Sequence, residues 1–211
     1  MNPKSTYIEL LRIAADFSED EINTIKKCIE VKKYAKGELL LREGEYSDTI
    51  IYISEGLLRE FYYTPPEGAT ETVYLNDFES IYEDDTYTSW IMAEGNFVYN
   101  VRSFLENTPS KCYIKAEEDS VVITMPKTDL DFLLGIMPQG RKILGLFYEK
   151  ALIEYERRLE LLREKDTLIR YQKFIELYPH LHQRISLKKI ATYLNISPRH
   201  LSRIRALPIK K

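Results

Sequence analysis

The chain has 211 residues, 44% of them hydrophobic, and a formal net charge of −3. This length allows one large domain or two small ones with a packed core. The acidic N-terminus argues against a signal peptide. The lack of any apolar run of ~18–20 residues argues against a membrane span. We therefore expect a cytoplasmic location. The two distant cysteines, Cys28 and Cys112, argue against a four-thiolate iron–sulfur cluster and a zinc site, so we expect reduced thiols and no metal.

The first predicted element is helical and spans about residues 5–27. Apolar residues recur there at helical spacing. Ser18 and Glu21 form the Ser-x-x-Glu pattern of a capping box, which marks the N-terminus of a helix.

Across residues 31–126 the sequence changes to short β-branched and aromatic runs separated by turn residues. Gly37, Gly44 and Gly56 separate the first runs, and residues 65–68 mark another turn. Further strand-like runs are TETVYL, TYTSWIM, CYIKAEE and SVVITMP. A series of short strands of this kind favours a rolled or closed antiparallel structure over an α/β sheet.

The longest predicted helix spans Gly140–Lys165 and carries two apolar stripes. One stripe alternates spacings of four and three, as in the seam of a coiled coil. This seam consists of Tyr148, Leu152, Tyr155, Leu159 and Leu162. We expect the other stripe, which includes Phe147, to pack on the β-structure and the seam to face a second copy of the chain. Packing of both stripes within one chain is the alternative.

Charge is distributed unevenly along the chain. From Asp166 to Lys211 ten Lys and Arg residues stand against Asp166 and Glu176 alone, whereas residues 60–101 hold nine acids and no base. Binding to nucleic acid requires basic groups that neutralise phosphates. The C-terminal part is therefore the candidate for contact with DNA.

This basic part contains two short helical patterns joined by a tight turn. Ser186 is suited to cap a helix that begins at Leu187, and Asn195 can close that helix in a left-handed conformation. Ser197 and Pro198 suit the N-cap and the first position of a second helix. The pattern predicts a helix-turn-helix.

The second of these helices carries side chains suited to the major groove. Arginine is the usual bidentate partner of guanine, and the N-terminal residues of a recognition helix reach base edges. We therefore predict base contacts from Arg199, His200 and Arg203. The predicted phosphate contacts come from Ser197, Ser202, Arg205, Lys188 and Lys189. A solvated basic helix is the alternative.

Several motifs follow one another in a characteristic order: Lys36–Glu38, Arg42–Glu45, the run IIYISEG, the long helix and the run ISPRHLSRIR. In this order they resemble the Crp/Fnr family of bacterial transcription regulators. The resemblance implies an α+β chain whose antiparallel, jelly-roll-like double-stranded β-roll is a sensor domain. A long dimerisation helix and a winged helix-turn-helix domain would follow it.

The domain boundaries expected on this basis are 1–139 for the roll, 140–165 for the dimerisation helix and 166–211 for the DNA-binding domain. The chain is most similar to short family members that stop soon after the recognition helix. We therefore expect no full wing in Leu207–Lys211.

Residues 96–116 match the family's cyclic-nucleotide cassette but depart from its pattern. Members that bind cyclic AMP carry a Gly-Glu for the ribose and a downstream Arg for the cyclic phosphate. Here Tyr99 and Asn100 stand near the first positions, and Ser110–Cys112 stands at the last. We therefore expect no cyclic AMP binding and no cofactor.

The residues expected to line the roll pocket are Phe97, Tyr99, Asn100, Arg102, Lys111 and Tyr113. We favour a pocket that these side chains fill. The alternative is a pocket in which they stack on a flat apolar ligand whose anionic end Arg102 holds.

Other branches of the family sense oxygen through four clustered cysteines or use haem ligands in the sensor domain. Neither set is present, since His180, His182 and His200 all follow the long helix. Arg199 stands where many members have Glu, so we expect an operator that differs from the family's usual one.

The function expected from these features is sequence-specific DNA binding by a homodimeric transcription regulator. A ligand-binding roll whose basic tail binds DNA without specificity is the alternative. No nucleophile–base pair, metal cluster or phosphate-binding loop supports an enzyme. The expected partners are double-stranded DNA and a second copy of the chain, with RNA polymerase as a further candidate and no membrane.

Overall fold

The computed structural model describes residues 2–63 and 86–205. Its helices are α1 (Pro3–Ala14), α2 (Glu19–Cys28), α3 (Val101–Glu106), α4 (Lys127–Ile136), α5 (Pro138–Arg163), α6 (Thr167–Leu177), α7 (Leu181–Arg184), α8 (Leu187–Tyr193) and α9 (Pro198–Arg205). Its strands are β1 (Glu30–Tyr34), β2 (Leu39–Leu41), β3 (Thr49–Glu55), β4 (Leu58–Tyr63), β5 (Thr86–Met92), β6 (Phe97–Val98), β7 (Tyr113–Ala116) and β8 (Ser120–Pro126). Within these ranges no helix is long and apolar enough to cross a membrane.

The strands form two antiparallel sheets, with the orders β1-β8-β3-β6 and β2-β7-β4-β5. Side chains of both sheets meet in one buried cluster, in which Ile53 and Val122 of the first sheet pack with Leu58 and Ile114 of the second. The alternation of side chains along each strand places these residues on the inner faces. The predicted α+β fold with an antiparallel roll is confirmed, while the run TETVYL and the turn at residues 65–68 lie outside the described residues.

Gly56 lies in the turn between β3 and β4. Its φ of +105° lies in the region that L side chains rarely adopt. A Cβ atom built at this position would lie only 2.2 Å from Oγ of Ser120. The close approach of β8 therefore requires glycine here.

The N-terminal region forms two helices, α1 and α2, where the sequence analysis predicted one continuous helical stretch. The break comes just before Ser18, whose side chain and that of Glu21 form the predicted capping box. A cap marks a new helix N-terminus, so a capping box inside a predicted helix indicates two helices. Both helices pack with Ile50, Ile123 and Leu133 on the outside of the roll.

The long helix α5 packs on the roll through the stripe that was expected to do so. Ile143 lies against the cluster beneath α1 and α2, and the ring of Phe147 lies 4.8 Å from that of Phe97, centroid to centroid. Most of the predicted seam lies on another part of the helix surface, although Tyr155 packs edge-on against Trp90 of β5. Its residues Leu152 and Leu159 are 71% and 51% exposed.

The C-terminal helices share a hydrophobic cluster with the roll. Phe174, Ile190 and Leu201 of α6, α8 and α9 are buried together with Leu57 and Ile91, which belong to the roll. The C-terminal domain is therefore docked on the outer side of β5 as well as on the end of α5. This docking decides which of the predicted DNA contacts remain accessible.

Candidate nucleic-acid interface and roll cavity

The helix-turn-helix is formed by α8 and α9 with the capping residues that the sequence predicts. The Ser186 side chain accepts a hydrogen bond from the backbone N–H of Lys189, and Asn195 has a φ of 54° in the turn. The Ser197 hydroxyl accepts from the backbone N–H of His200 at 3.2 Å. The two serine caps satisfy backbone N–H groups at the N-termini of α8 and α9.

Helix α9 buries Leu201 and Ile204 and exposes a basic face on its other side. The exposed residues of this face are Ser197, Arg199, Ser202, Arg203 and Arg205. We call this set the basic face of α9. It presents the guanidinium groups of three arginines to solvent, as major-groove and phosphate contacts require.

His200 lies between this face and the core and has a structural partner. Its Nε2 atom lies 2.7 Å from Oγ1 of Thr167 at the N-terminus of α6, and the side chain is half-buried. The predicted base contact is therefore not supported, because the imidazole is held against α6.

A buried ion network joins α8 to the outer face of β4. Arg59 is 1% exposed, and its Nε lies 2.5 Å from Oε1 of Glu117. The second Glu117 oxygen accepts a hydrogen bond from Nζ of Lys189 at 2.7 Å. The phosphate contact predicted for Lys189 is not available in this arrangement, because the buried carboxylate holds its amino group. Lys188, on the same helix, is half-buried.

Further polar contacts fix the C-terminal domain on the roll. Thr192 donates a hydrogen bond from its hydroxyl to Thr88 at 2.8 Å. The guanidinium of Arg184 donates to both oxygens of Glu94 at 2.7 and 2.9 Å and also contacts Glu118. The hydrogen bonds that Arg184 donates to Glu94 lower the pKa of this carboxyl group to about 2.

A cavity of about 1100 Å³ lies between the roll, α5 and the start of the C-terminal domain. Four of the predicted pocket residues line it, namely Phe97, Tyr99, Asn100 and Arg102. Their aromatic rings form part of the wall and leave the interior open, so the expectation of a filled pocket is not supported.

Lys111 and Tyr113, the other two predicted pocket residues, do not line this cavity. Tyr113 is buried at the start of β7, where its ring stacks on that of Phe61 with a centroid distance of 5.3 Å. Lys111 is exposed just before the same strand. Alternation along β7 turns the Tyr113 side chain to the face opposite that of the core residue Ile114, whereas Lys111 lies before the strand.

Arg102, which was expected to hold an anion, lies at the mouth of the cavity. Its side chain is 72% exposed and its Nε donates to Glu106 at 3.0 Å, one turn further along α3. A guanidinium that is solvated and already paired is a weak anion ligand.

The inner end of the cavity holds a carboxylate that the sequence analysis did not single out. Glu60 on β4 is 8% exposed and accepts hydrogen bonds from Oγ of Ser89 at 2.6 Å and Nδ2 of Asn100 at 3.3 Å. A signal was present in the sequence. In the apolar run LLREFYY, alternation places Glu60 on the same face as the core residue Leu58.

No protein-family model matches the sequence, and no curated protein matches it significantly. Solved structures do match. FixK2 from Bradyrhizobium japonicum has 16% identity and a TM-score of 0.65, covering 84% of this chain and 83% of its own.

The c-di-GMP-responsive global regulator CLP from Xanthomonas campestris has 15% identity and a TM-score of 0.64, covering 89% of each chain. A structure from Eubacterium rectale assigned to the Crp/Fnr regulators has 12% identity and a TM-score of 0.64, covering 90% of this chain and 82% of its own. The chain therefore has the fold of the Crp/Fnr regulators.

Proposed function

We propose that this protein is a homodimeric, sequence-specific DNA-binding transcription regulator of the Crp/Fnr type. The observation that carries the proposal is the complete helix-turn-helix with its basic face of α9. Leu201 and Ile204 anchor this helix in the core, while Arg199, Arg203 and Arg205 project from it. A rigid helix that presents arginines to solvent is suited to the major groove.

The charge distribution supports the same proposal. The roll and long helix are acidic overall and the C-terminal part is basic, so the phosphate backbone is attracted to one side of the molecule. The acidic part repels DNA, which favours contact through α9 alone.

The seam of α5 supports the dimer. Tyr148, Leu152, Tyr155 and Leu159 are each more than 40% exposed on one helix. A row of apolar side chains at coiled-coil spacing is stabilised when a second copy covers it. A two-fold pairing along this seam would place two α9 helices about 34 Å apart, one turn of DNA. The operator is then a near-palindrome.

The test is a selection of genomic fragments by the purified protein, followed by competition between the selected duplex and a random one. Arg203→Ala should cost roughly 1–3 kcal/mol on the selected duplex and relax the base preference at one position. Arg141→Ala is the matched control, because this exposed arginine lies near the start of α5. It should leave both quantities unchanged.

Two results would contradict the proposal. One is equal affinity of the wild-type protein for selected and random duplexes, which would indicate non-specific binding by a basic tail. The other is an Arg203→Ala variant with unaltered affinity and base preference. Contact with RNA polymerase stays a further prediction.

A further inference from the structure

The cavity contains an acidic group with no cationic partner among the described residues. Glu60 is one of few charged side chains buried in the roll, and its described hydrogen-bond donors are neutral. Ser89 and Asn100 supply the measured bonds, and the thiol of Cys112 also lies beside the carboxylate. A buried carboxylate without a cation is costly for a protein to maintain.

The nearest arginine along the chain does not compensate this charge. Arg59 precedes Glu60 on β4, but alternation sends its side chain to the outer face, where it pairs with Glu117. The segment of residues 64–85, which the structure does not describe, has no Lys, Arg or His in its sequence. Among the described residues, and in residues 64–85, no cation therefore compensates the charge of Glu60.

The negative charge of this carboxylate affects the pKa of neighbouring groups. Burial raises the pKa of Tyr62 and Tyr155, and the negative charge of Glu60 raises it further. Both phenols line the cavity. The inner end of the cavity is thus a region of negative potential bordered by neutral hydroxyl groups.

Aromatic rings form much of the wall between this end and the mouth. Trp90, Phe97, Tyr99, Phe147 and Tyr155 all line the cavity. The ring of Trp90 lies 4.6 Å from that of Tyr155, with the planes at 73°. The faces of aromatic rings attract cations and pack well against flat rings.

The cationic groups that line the cavity are exposed, and each has a partner of its own. Arg102 pairs with Glu106. Arg157 pairs with Glu154 at 2.6 Å. Lys150 donates to the backbone carbonyl of Gly95. None of these groups is within ion-pair distance of Glu60 in the described part of the chain.

We propose that this cavity binds an organic cation, a flat aromatic ring that carries a protonated amine. The ammonium group donates to Glu60 and the ring packs against the aromatic wall that includes Trp90 and Phe97. This ligand class has the opposite charge to a cyclic nucleotide. The inference goes beyond the proposed function and does not depend on it, because the cavity can be tested without DNA.

Three indoles of similar size that differ in charge at one end are suitable probes: tryptamine as the cation, tryptophol as the neutral analogue and indole-3-acetate as the anion. Calorimetric titration of the full chain should show saturable binding of tryptamine. Tryptophol should bind roughly 10- to 100-fold more weakly, because it lacks the charged donor. Indole-3-acetate and cyclic AMP should not bind.

The matched variants are Glu60→Gln and Glu106→Gln, which make the same chemical change at the inner end and at the mouth. Glu60→Gln should abolish the preference for tryptamine over tryptophol, and Glu106→Gln should keep it. Without ligand, Glu60→Gln should also raise the melting temperature, because it removes an uncompensated buried charge.

The proposal is overturned if tryptamine shows no saturable binding at millimolar concentration, or if indole-3-acetate or cyclic AMP binds more tightly than tryptamine. It is also overturned if Glu60→Gln keeps the preference for the cation, or if this variant is less stable than the wild type without ligand. The last result would assign Glu60 a structural role. A protein that binds tryptamine but no specific DNA would refute the proposed function alone.

Discussion

Replacing Glu117 by Gln tests whether the buried ion network holds the C-terminal domain on the roll. The Glu117 carboxylate lies between two cationic groups, 2.5 Å from Nε of Arg59 and 2.7 Å from Nζ of Lys189. The three side chains are 5%, 1% and 13% exposed, respectively. A glutamine of the same shape leaves two positive charges facing each other in a site with little water.

The magnitude follows from this burial. Breaking a buried ion pair by neutralising one partner typically costs about 3–5 kcal/mol. Arg59 keeps its hydrogen bonds to Thr86 and Thr88 and its position 4.1 Å from the ring centre of Phe61. We therefore expect the lower end of the range, about 3 kcal/mol, for Glu117→Gln.

The assay is urea denaturation of Glu117→Gln beside Glu118→Gln. Glu118 is the next residue and also binds an arginine, Arg184, but its side chain is 34% exposed. Exposed ion pairs contribute about 0–1 kcal/mol, so this control should lower the free energy of unfolding only slightly. In the Glu117→Gln background, Lys189→Met should restore part of the loss, because it removes one of the two facing charges.

Equal losses of stability for Glu117→Gln and Glu118→Gln would refute this reasoning. So would a Lys189→Met change that lowers stability in the Glu117→Gln background as much as it does in the wild type. Either result would mean that the network is solvated and that the apolar cluster alone docks the C-terminal domain.

Replacing Leu152 and Leu159 together by Glu should give a protein that sediments as a monomer and has lost specific DNA binding. A wild-type protein that is monomeric and still binds DNA tightly would contradict a dimer interface along the seam. Hydrogen bonds from Arg184 lower the pKa of Glu94 from 4.5 to about 2. The ion pair between these residues therefore stabilises the folded state fully above pH 4.5, and this stabilisation is lost as the pH falls toward 2. Because Glu94 is 42% exposed, the ion pair should contribute about 1 kcal/mol or less to the free energy of unfolding at neutral pH. Urea denaturation of the wild type and Arg184→Ala should show this difference at neutral pH and lose it near pH 2. Gly56→Ala should lower the melting temperature strongly, since its Cβ meets Ser120, and an unchanged melting temperature would show that the turn can open.

Signals that act over a few residues were enough to predict the helix-turn-helix and much of the roll. Ser186, Asn195 and Ser197 satisfy backbone groups within three or four positions of themselves, so their roles follow from the chain alone. The same is true of the Ser18 cap, although its position inside a predicted helix should have indicated two helices.

The stripes of α5 were also readable from the sequence. The periodicity showed two apolar stripes, and the structure places Phe147 on the roll while it leaves Leu152 exposed. Periodicity defines the sides of a helix, but only the rest of the molecule decides which side is covered within one chain.

Tertiary structure alone decided the environment of the charged residues. Lys189 looks like an ordinary basic residue on a helix-turn-helix, yet it lies against Glu117, which is 72 positions away in the sequence. Glu60 looks like one more acid in an acidic stretch, yet strand pairing and the roll bury it beside Cys112 and Asn100. Local hydrogen bonds form between near neighbours and so leave a pattern in the sequence. The electrostatic environment of a side chain is set by partners that only the folded sheets bring together.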